Sequence, residues 1–231
     1  MSDQQTSRRS SYRGLFVTGT DTGVGKTVVS AALMHRYRAE APLRYWKPIQ
    51  TGIEQDDDTK EVARLAECQP DELFTSGVRL PRPVSPHLAA RLSGRTISIA
   101  PLVSAIEAEL EERAWIVEGA GGALVPVNHN QMMTDLMLGL NLPVVVTART
   151  ALGTINHALL TIEALRRRDI RVAGVVMVGD RDEENRAAIE HFGDVAVIGE
   201  MPRFARLTPA DLAAWASSDL DREGRLLELL R

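Results

Sequence analysis

The stretch GLFVTGTDTGVGKTVVS, residues 14–30, constrains this chain more than any other. Leu15, Phe16 and Val17 form a short apolar run, a glycine-rich turn follows, and Val28 opens a segment of helical period. A strand feeding a helix through such a turn lets backbone N–H groups and the positive helix end converge on phosphate. The common phosphate-loop pattern puts four residues between its first glycine and the Gly-Lys-Thr ending, whereas Gly19 and Gly25 enclose five. The stretch is therefore either a turn that binds nothing or a longer variant of the loop. The Gly25-Lys26-Thr27 ending directly after a strand favours the variant.

The same alternation continues along the chain. Apolar runs read as strands in YWKPIQTG, AWIVEGAGG, LPVVVTA, VAGVVMV and AVIGEMP. Helical periods fall in KTVVSAALMHRYRAE, DDDTKEVARLAEC, LVSAIEAELEER, NHALLTIEALRRRD and DEENRAAIEHF. Pro81, Pro83 and Pro86 impose an extended loop before a short helix. Near-continuous apolar strands imply burial on both faces, so the expected architecture is α/β: one doubly wound, mostly parallel sheet with helices on both faces. The 231 residues, 44% hydrophobic and 25% charged, suit one such domain over residues 14–231, with residues 1–13 as a disordered polar lead. A net charge of −4 gives no overall pull toward nucleic acid or anionic lipid, and no apolar run is long enough to span a membrane. Cys68 is the lone cysteine, which excludes an intrachain disulfide and suits the cytoplasm.

In a doubly wound sheet, ligands gather beyond the carboxyl ends of the strands. Lys26 and Thr27 are placed to meet the β- and γ-phosphates and a Mg²⁺ ion respectively. Glu118 ends an apolar run in WIVEGAGG, where a carboxylate either completes a Mg²⁺ site or stands exposed at a strand end. Lys47 falls late in an apolar strand, which is costly without an anion unless the side chain snorkels to an edge. Asp56, Asp57 and Asp58 precede a helix; one can cap it and one can reach a metal, and position alone does not say which.

GTDTGVGKT, WKPIQTG, the acid of DDDT, VEGAGG and LGTINHALLT stand in the order and spacing of the dethiobiotin synthetase family, which the chain resembles from Gly14 to Pro202. That family shares the longer loop. The resemblance implies an enzyme that carboxylates 7,8-diaminopelargonic acid with CO₂, phosphorylates the carbamate with ATP and Mg²⁺, and closes a cyclic urea. It implies that Gly23, Val24, Gly25, Lys26, Thr27 and Val28 cradle the phosphates, with Lys26 on the transferring group. Thr27, Asp58 and Glu118 become the metal residues, Lys47 the catalytic lysine beside Lys26, and Thr51 a contact to the diamine. Gly119, Ala120 and Gly121 after the glutamate, and Met201, Pro202 and Arg203 in GEMPRF, flank the nucleotide; Arg203 reads equally as plain surface. Gly153, Thr154 and Asn156 match a segment that reaches the substrate carboxylate from the neighbouring subunit, so a homodimer with a shared site is implied.

One departure bears on the nucleotide. Some members read adenine with an asparagine shortly after the strand corresponding to VAGVVMV, and here that neighbourhood reads Met177, Val178, Gly179, Asp180. CTP, GTP or UTP are then expected to substitute for ATP. His129 and His157 read as surface or helix-packing residues, and residues 166–168 as a solvated helix end; His87, in SPHLAA, resembles a family segment near the substrate region, its role staying open. A switch-type ATPase with a macromolecular partner is the competing reading. It would be expected to carry a second lysine early in the loop, where residues 19–24 have none. A cobyrinate-type amidoligase would be expected to carry a glutaminase domain, for which 231 residues leave no room.

Overall fold

The computed structural model describes residues 13–109 and 112–231; apart from Arg13, the expected polar lead lies outside them. The chain runs β1 (Gly14–Gly19), α1 (Lys26–Tyr37), β2 (Leu43–Trp46), β3 (Ile49–Thr51), α2 (Asp58–Leu65), β4 (Leu73–Phe74), β5 (Val78–Leu80) and α3 (Pro86–Leu92). It continues through α4 (Ile99–Glu107), β6 (Ala114–Gly122), α5 (Met133–Leu140), β7 (Val144–Arg149), α6 (Thr154–Arg166), β8 (Val172–Val178), α7 (Glu183–Gly193), β9 (Val197–Met201) and α8 (Pro209–Asp219).

Seven strands form one sheet in the order β4-β2-β6-β1-β7-β8-β9, with every ladder parallel. Alternate residues of each strand feed two cores. Leu15, Val17, Tyr45, Ile116 and Val145 face α1, α2 and α8, while Phe16, Trp46, Val117, Val144 and Val146 face α3 to α7. Trp46, Phe74 and Trp115 meet edge to face, with ring centroids 5.3 to 6.3 Å apart, in contacts that add about 0.5–1.5 kcal/mol each beyond burial. Among the described residues no helix is long and apolar enough to cross a membrane.

Two features differ from expectation. The strand expected through YWKPIQTG is broken at Lys47 and Pro48: β2 ends at Trp46, and β3 pairs with β5 in a separate two-stranded sheet. Pro48 lacks a donor for the main ladder, and its carbonyl accepts instead from Val78 N at 2.9 Å. Gly77 makes this crossing feasible, because a β-carbon there would sit 2.6 Å from the Pro48 oxygen. Glu118 lies inside β6 rather than at its end, since the strand runs on to Gly122. Arg166 is exposed, as expected of a solvated helix end, and it also caps the C-terminus of α7 by donating to the Gly193 and Asp194 carbonyls at 2.7 and 2.6 Å.

The chain end is fastened to the sheet by one buried acid. Asp221, 2% exposed, accepts from the Tyr37 hydroxyl of α1 and from Arg225 N and Leu226 N at 3.0 and 2.8 Å. Its own N–H donates to the Ile198 carbonyl of β9 at 2.7 Å. Removing the carboxylate strands buried donors on two elements. Asp221→Ala is therefore expected to lower stability by about 3 kcal/mol and Tyr37→Phe by about 1–2 kcal/mol in equilibrium urea unfolding. A loss below about 1 kcal/mol for Asp221→Ala would mean the clasp carries little.

Candidate active site

The register of the sheet builds the site. Trp46 on β2 lies opposite Val117 on β6, so the next residues in each chain, Lys47 and Glu118, emerge side by side where β2 leaves the sheet. Lys47, 3% exposed, donates to Glu118 Oε1 at 2.7 Å and to the Gly119 carbonyl at 3.0 Å, and its ammonium lies 2.5 Å from Asp58 Oδ2. It is a buried ammonium held between two carboxylates, not a snorkelling edge lysine. Burial pushes its pKa down, but Glu118 and Asp58 outweigh burial and hold it above the ordinary value. Burial alone would raise the Asp58 carboxyl; Lys47, the Thr27 hydroxyl and Lys26 hold it low.

The aspartate run divides its labour. Asp57 caps α2, accepting from Thr59 N and Lys60 N, and Asp58 begins the helix and turns inward. Asp56 stays exposed. Arg79 on β5 braces this cap from Thr59 Oγ1 at 3.0 Å and Asp57 at 3.6 Å.

Thr27, in the first turn of α1, places its hydroxyl 3.1 Å from both Asp58 Oδ1 and Glu118 Oε1. Two carboxylate oxygens thus converge within hydrogen-bond distance of one hydroxyl, a donor set suited to a hard cation. Among the described residues no group of three or more His, Cys, Asp or Glu side chains forms a protein-only metal cage. A hydroxyl and two carboxylates match an ion that takes its remaining ligands from water and phosphate.

The loop itself is braced by Asp21 to Arg149 at 2.5 Å and by Thr20 N to the Thr147 carbonyl at 2.9 Å. Gly25 occupies the N-cap of α1 with no side-chain cap, which leaves the first N–H groups for an anion. Lys26 donates to the Asp21 carbonyl at 3.0 Å. Burial and the neighbouring Lys47 charge hold its pKa below the ordinary value.

A cleft of about 780 Å³ joins these parts. Gly23, Gly25, Lys26, Thr27 and Val28 form one wall; Lys47, Thr51 and Asp58 form another; Glu118, Ala120 and Gly121 close the floor. Val24 is buried beneath the loop at 4% exposure, and Gly119 contributes its carbonyl to Lys47 rather than a wall. Met201 ends β9 beside Val178, whose side chain packs on Gly25, and Pro202 and Arg203 lie exposed beyond it. Gly153, Thr154 and Asn156 lie outside the cleft at the start of α6; Gly153 and Asn156 are exposed, and Thr154 is buried with its hydroxyl on the Arg149 carbonyl. His87 and His129 line a separate cleft of about 280 Å³, and His157 is exposed. Burial pushes the Cys68 thiol up to about 11, which leaves it a poor nucleophile.

Sequence reasoning missed Tyr45. Its buried hydroxyl donates to Glu118 Oε2 at 2.8 Å, so both oxygens of that carboxylate are fixed. An aromatic within an apolar run reads as core, and only its register beside β6 reveals the polar task.

The chain resembles known proteins along nearly its whole length. A family model described as an AAA domain matches residues 13–211. The ATP-dependent dethiobiotin synthetase of Paramagnetospirillum magneticum is 50% identical over 201 residues, covering 87% of this chain and 93% of that protein. That of Brucella ovis is 46% identical over 198 residues, covering 86% and 90%. A putative plasmid partition protein of Borrelia burgdorferi shares the fold with a TM-score of 0.58 at 11% identity, covering 94% of this chain and 98% of that one. The MinC:MinD cell division complex of Aquifex aeolicus contains a chain with TM-score 0.52 at 14% identity, covering 88% and 86%. With its loop, its sheet and close relatives at 46–50% identity across most of both chains, this chain belongs to the ATP-dependent dethiobiotin synthetase family.

Proposed function

We propose that this chain closes a cyclic urea on 7,8-diaminopelargonic acid, using CO₂ and a nucleoside triphosphate to give dethiobiotin, nucleoside diphosphate and phosphate. The observation that carries the reading is the buried Lys47 ammonium, 2.7 Å from Glu118 and 2.5 Å from Asp58, at the mouth of a phosphate loop. Close relatives named for this activity support it.

One amine nitrogen adds to CO₂ and loses a proton, giving a carbamate. A carbamate oxygen attacks the γ-phosphorus and the nucleoside diphosphate leaves, which turns an oxide into a good leaving group. The second amine attacks the carbamoyl carbon and loses a proton, the C–O bond to phosphate breaks, and the ring closes as phosphate leaves. Lys47 lies where the carbamate meets the transferring phosphoryl group, and its donors stabilise the negative charge there. Lys26, with its pKa already held low, turns from the Asp21 carbonyl to the transferring phosphate. The N–H groups of Gly23, Gly25, Lys26, Thr27 and Val28 hold the remaining phosphates. Thr27, Asp58 and Glu118 would hold Mg²⁺, which supplies charge neutralisation of the phosphate oxygens when bound. Thr51 faces the diamine.

Two copies complete the site in this reading. Leu152, just before α6, is fully exposed and Leu160 on α6 is 56% exposed, near Gly153, Thr154 and Asn156, which do not line their own cleft. A second copy delivering this helix start would supply N–H groups for the substrate carboxylate. The half-buried, unreactive Cys68 suits a cytoplasmic setting.

The nucleotide base meets few discriminating groups. A β-carbon at Gly179 would collide with Thr150 Oγ1, and φ there is +139°, so an asparagine amide has no place at that position. Met201, Pro202 and Arg203 are left to flank the base.

The direct test is to incubate the protein with the diamine, bicarbonate, Mg²⁺ and nucleotide and to seek the cyclic urea by mass. Hydrolysis that needs DNA or lipid, without urea, would favour a switch ATPase instead. Lys47→Ala is expected to lower kcat by at least about 10²-fold in protein that still binds nucleotide; near-normal turnover would remove the mechanism's central residue. ATP, CTP, GTP and UTP are expected to give kcat/KM values within roughly tenfold of one another, and a large ATP preference would refute the open base site. Mixing Lys47→Ala with Asn156→Ala subunits is expected to restore part of the activity that each lacks alone; no recovery after subunit exchange would argue for self-contained sites.

A further inference from the structure

We infer that Gln50 binds the substrate, its side-chain carbonyl accepting an N–H from the diamine end; the inference rests on the ring-closing activity proposed above. Gln50 stands on β3 between Lys47 and Thr51, lines the cleft, and is only 3% exposed. Its Nε2 donates to the Thr51 carbonyl at 3.2 Å, and its Oε1 is buried without a partner. The opposite amide orientation would set Oε1 against the Thr51 carbonyl, two acceptors facing each other, so hydrogen bonding fixes the oxygen as the orphan.

Buried polar groups in folded proteins are overwhelmingly satisfied, and an orphan acceptor in the wall of a ligand cleft calls for a donor from the ligand. The chemistry separates the phosphates from the diamine. Phosphates present only acceptors toward this oxygen, whereas amine and carbamate nitrogens present N–H groups. Other acceptors nearby are committed: Glu118 to Lys47, Thr27 and Tyr45, Asp58 to Lys47 and Thr27, and Glu61 to Arg64 at 2.6 Å. Asp56 also lines the cleft but is exposed, where water competes for it. The pairing of Gln50 opposite Arg79 holds the backbone of β3, and the soft terminal torsion of a glutamine lets Oε1 turn to an N–H by a small rotation.

The test compares wild type with Gln50→Met, which keeps length and flexibility and removes the hydrogen-bonding oxygen. Urea formation by wild type establishes the activity separately; its absence removes that reading and this inference with it. With activity established, Gln50→Met is expected to raise KM for the diamine about tenfold and to leave KM for nucleotide within about twofold. An unchanged diamine KM, or equal rises in both KM values, overturns the inference. Should Gln50→Met not fold, nitrogen-15 spectra of wild type decide: the Gln50 side-chain amide resonances are expected to shift on saturation with diamine and not with nucleotide alone. A silent Gln50 amide under saturating diamine overturns the proposal.

Discussion

The ammonium of Lys47, shared between Glu118 and Asp58, is the interaction around which the rest of the site is arranged. A charge at 3% exposure is tolerable only when its partners are fixed, and each partner is fixed by a different part of the fold. Glu118 is set by the β6 register and by Tyr45, and Asp58 by a helix whose cap is the residue before it. Lys47 itself is set by the break at Pro48, which carries the chain off the main sheet one residue after the last β2–β6 pair. Loss of any of these three supports would leave buried charge uncompensated. The phosphate loop is therefore one side of a preorganised electrostatic cage rather than an independent module.

This arrangement also explains why two lysines sit in one cleft with different surroundings. Lys47 is flanked by acids and keeps its proton tightly, whereas Lys26 is desolvated and stands near another cation. The free chain thus holds Lys47 satisfied and Lys26 in need of anionic charge.

Much of the scaffold was legible because apolar runs and glycine turns encode a parallel sheet directly. The loop and Lys47 stood out at strand ends and Glu118 as a polar residue in an apolar run, although the strand carries on past it to Gly122. Division of labour within Asp56, Asp57 and Asp58 was not legible, since all three precede the helix and only backbone geometry separates a cap from an inward-facing first-turn residue. Tyr45 was hidden for the opposite reason: it lies in an apolar stretch and takes its meaning from the neighbouring β6. The helix Met133–Leu140 escaped because eight mostly apolar residues carry too little period to declare themselves. The helix Pro209–Asp219 did carry a signal, Thr208 with Asp211 three residues on, and that cap is formed.

The clasp at Asp221 reaches beyond the stability of the chain end. An open edge strand offers a ladder to any passing strand, and β9 is one edge of this sheet. The Asp221 N–H occupies the Ile198 carbonyl on that edge, and the opposite edge, β4, is two residues long. Neither margin invites strand addition. Growth of the sheet from copy to copy is discouraged at both ends.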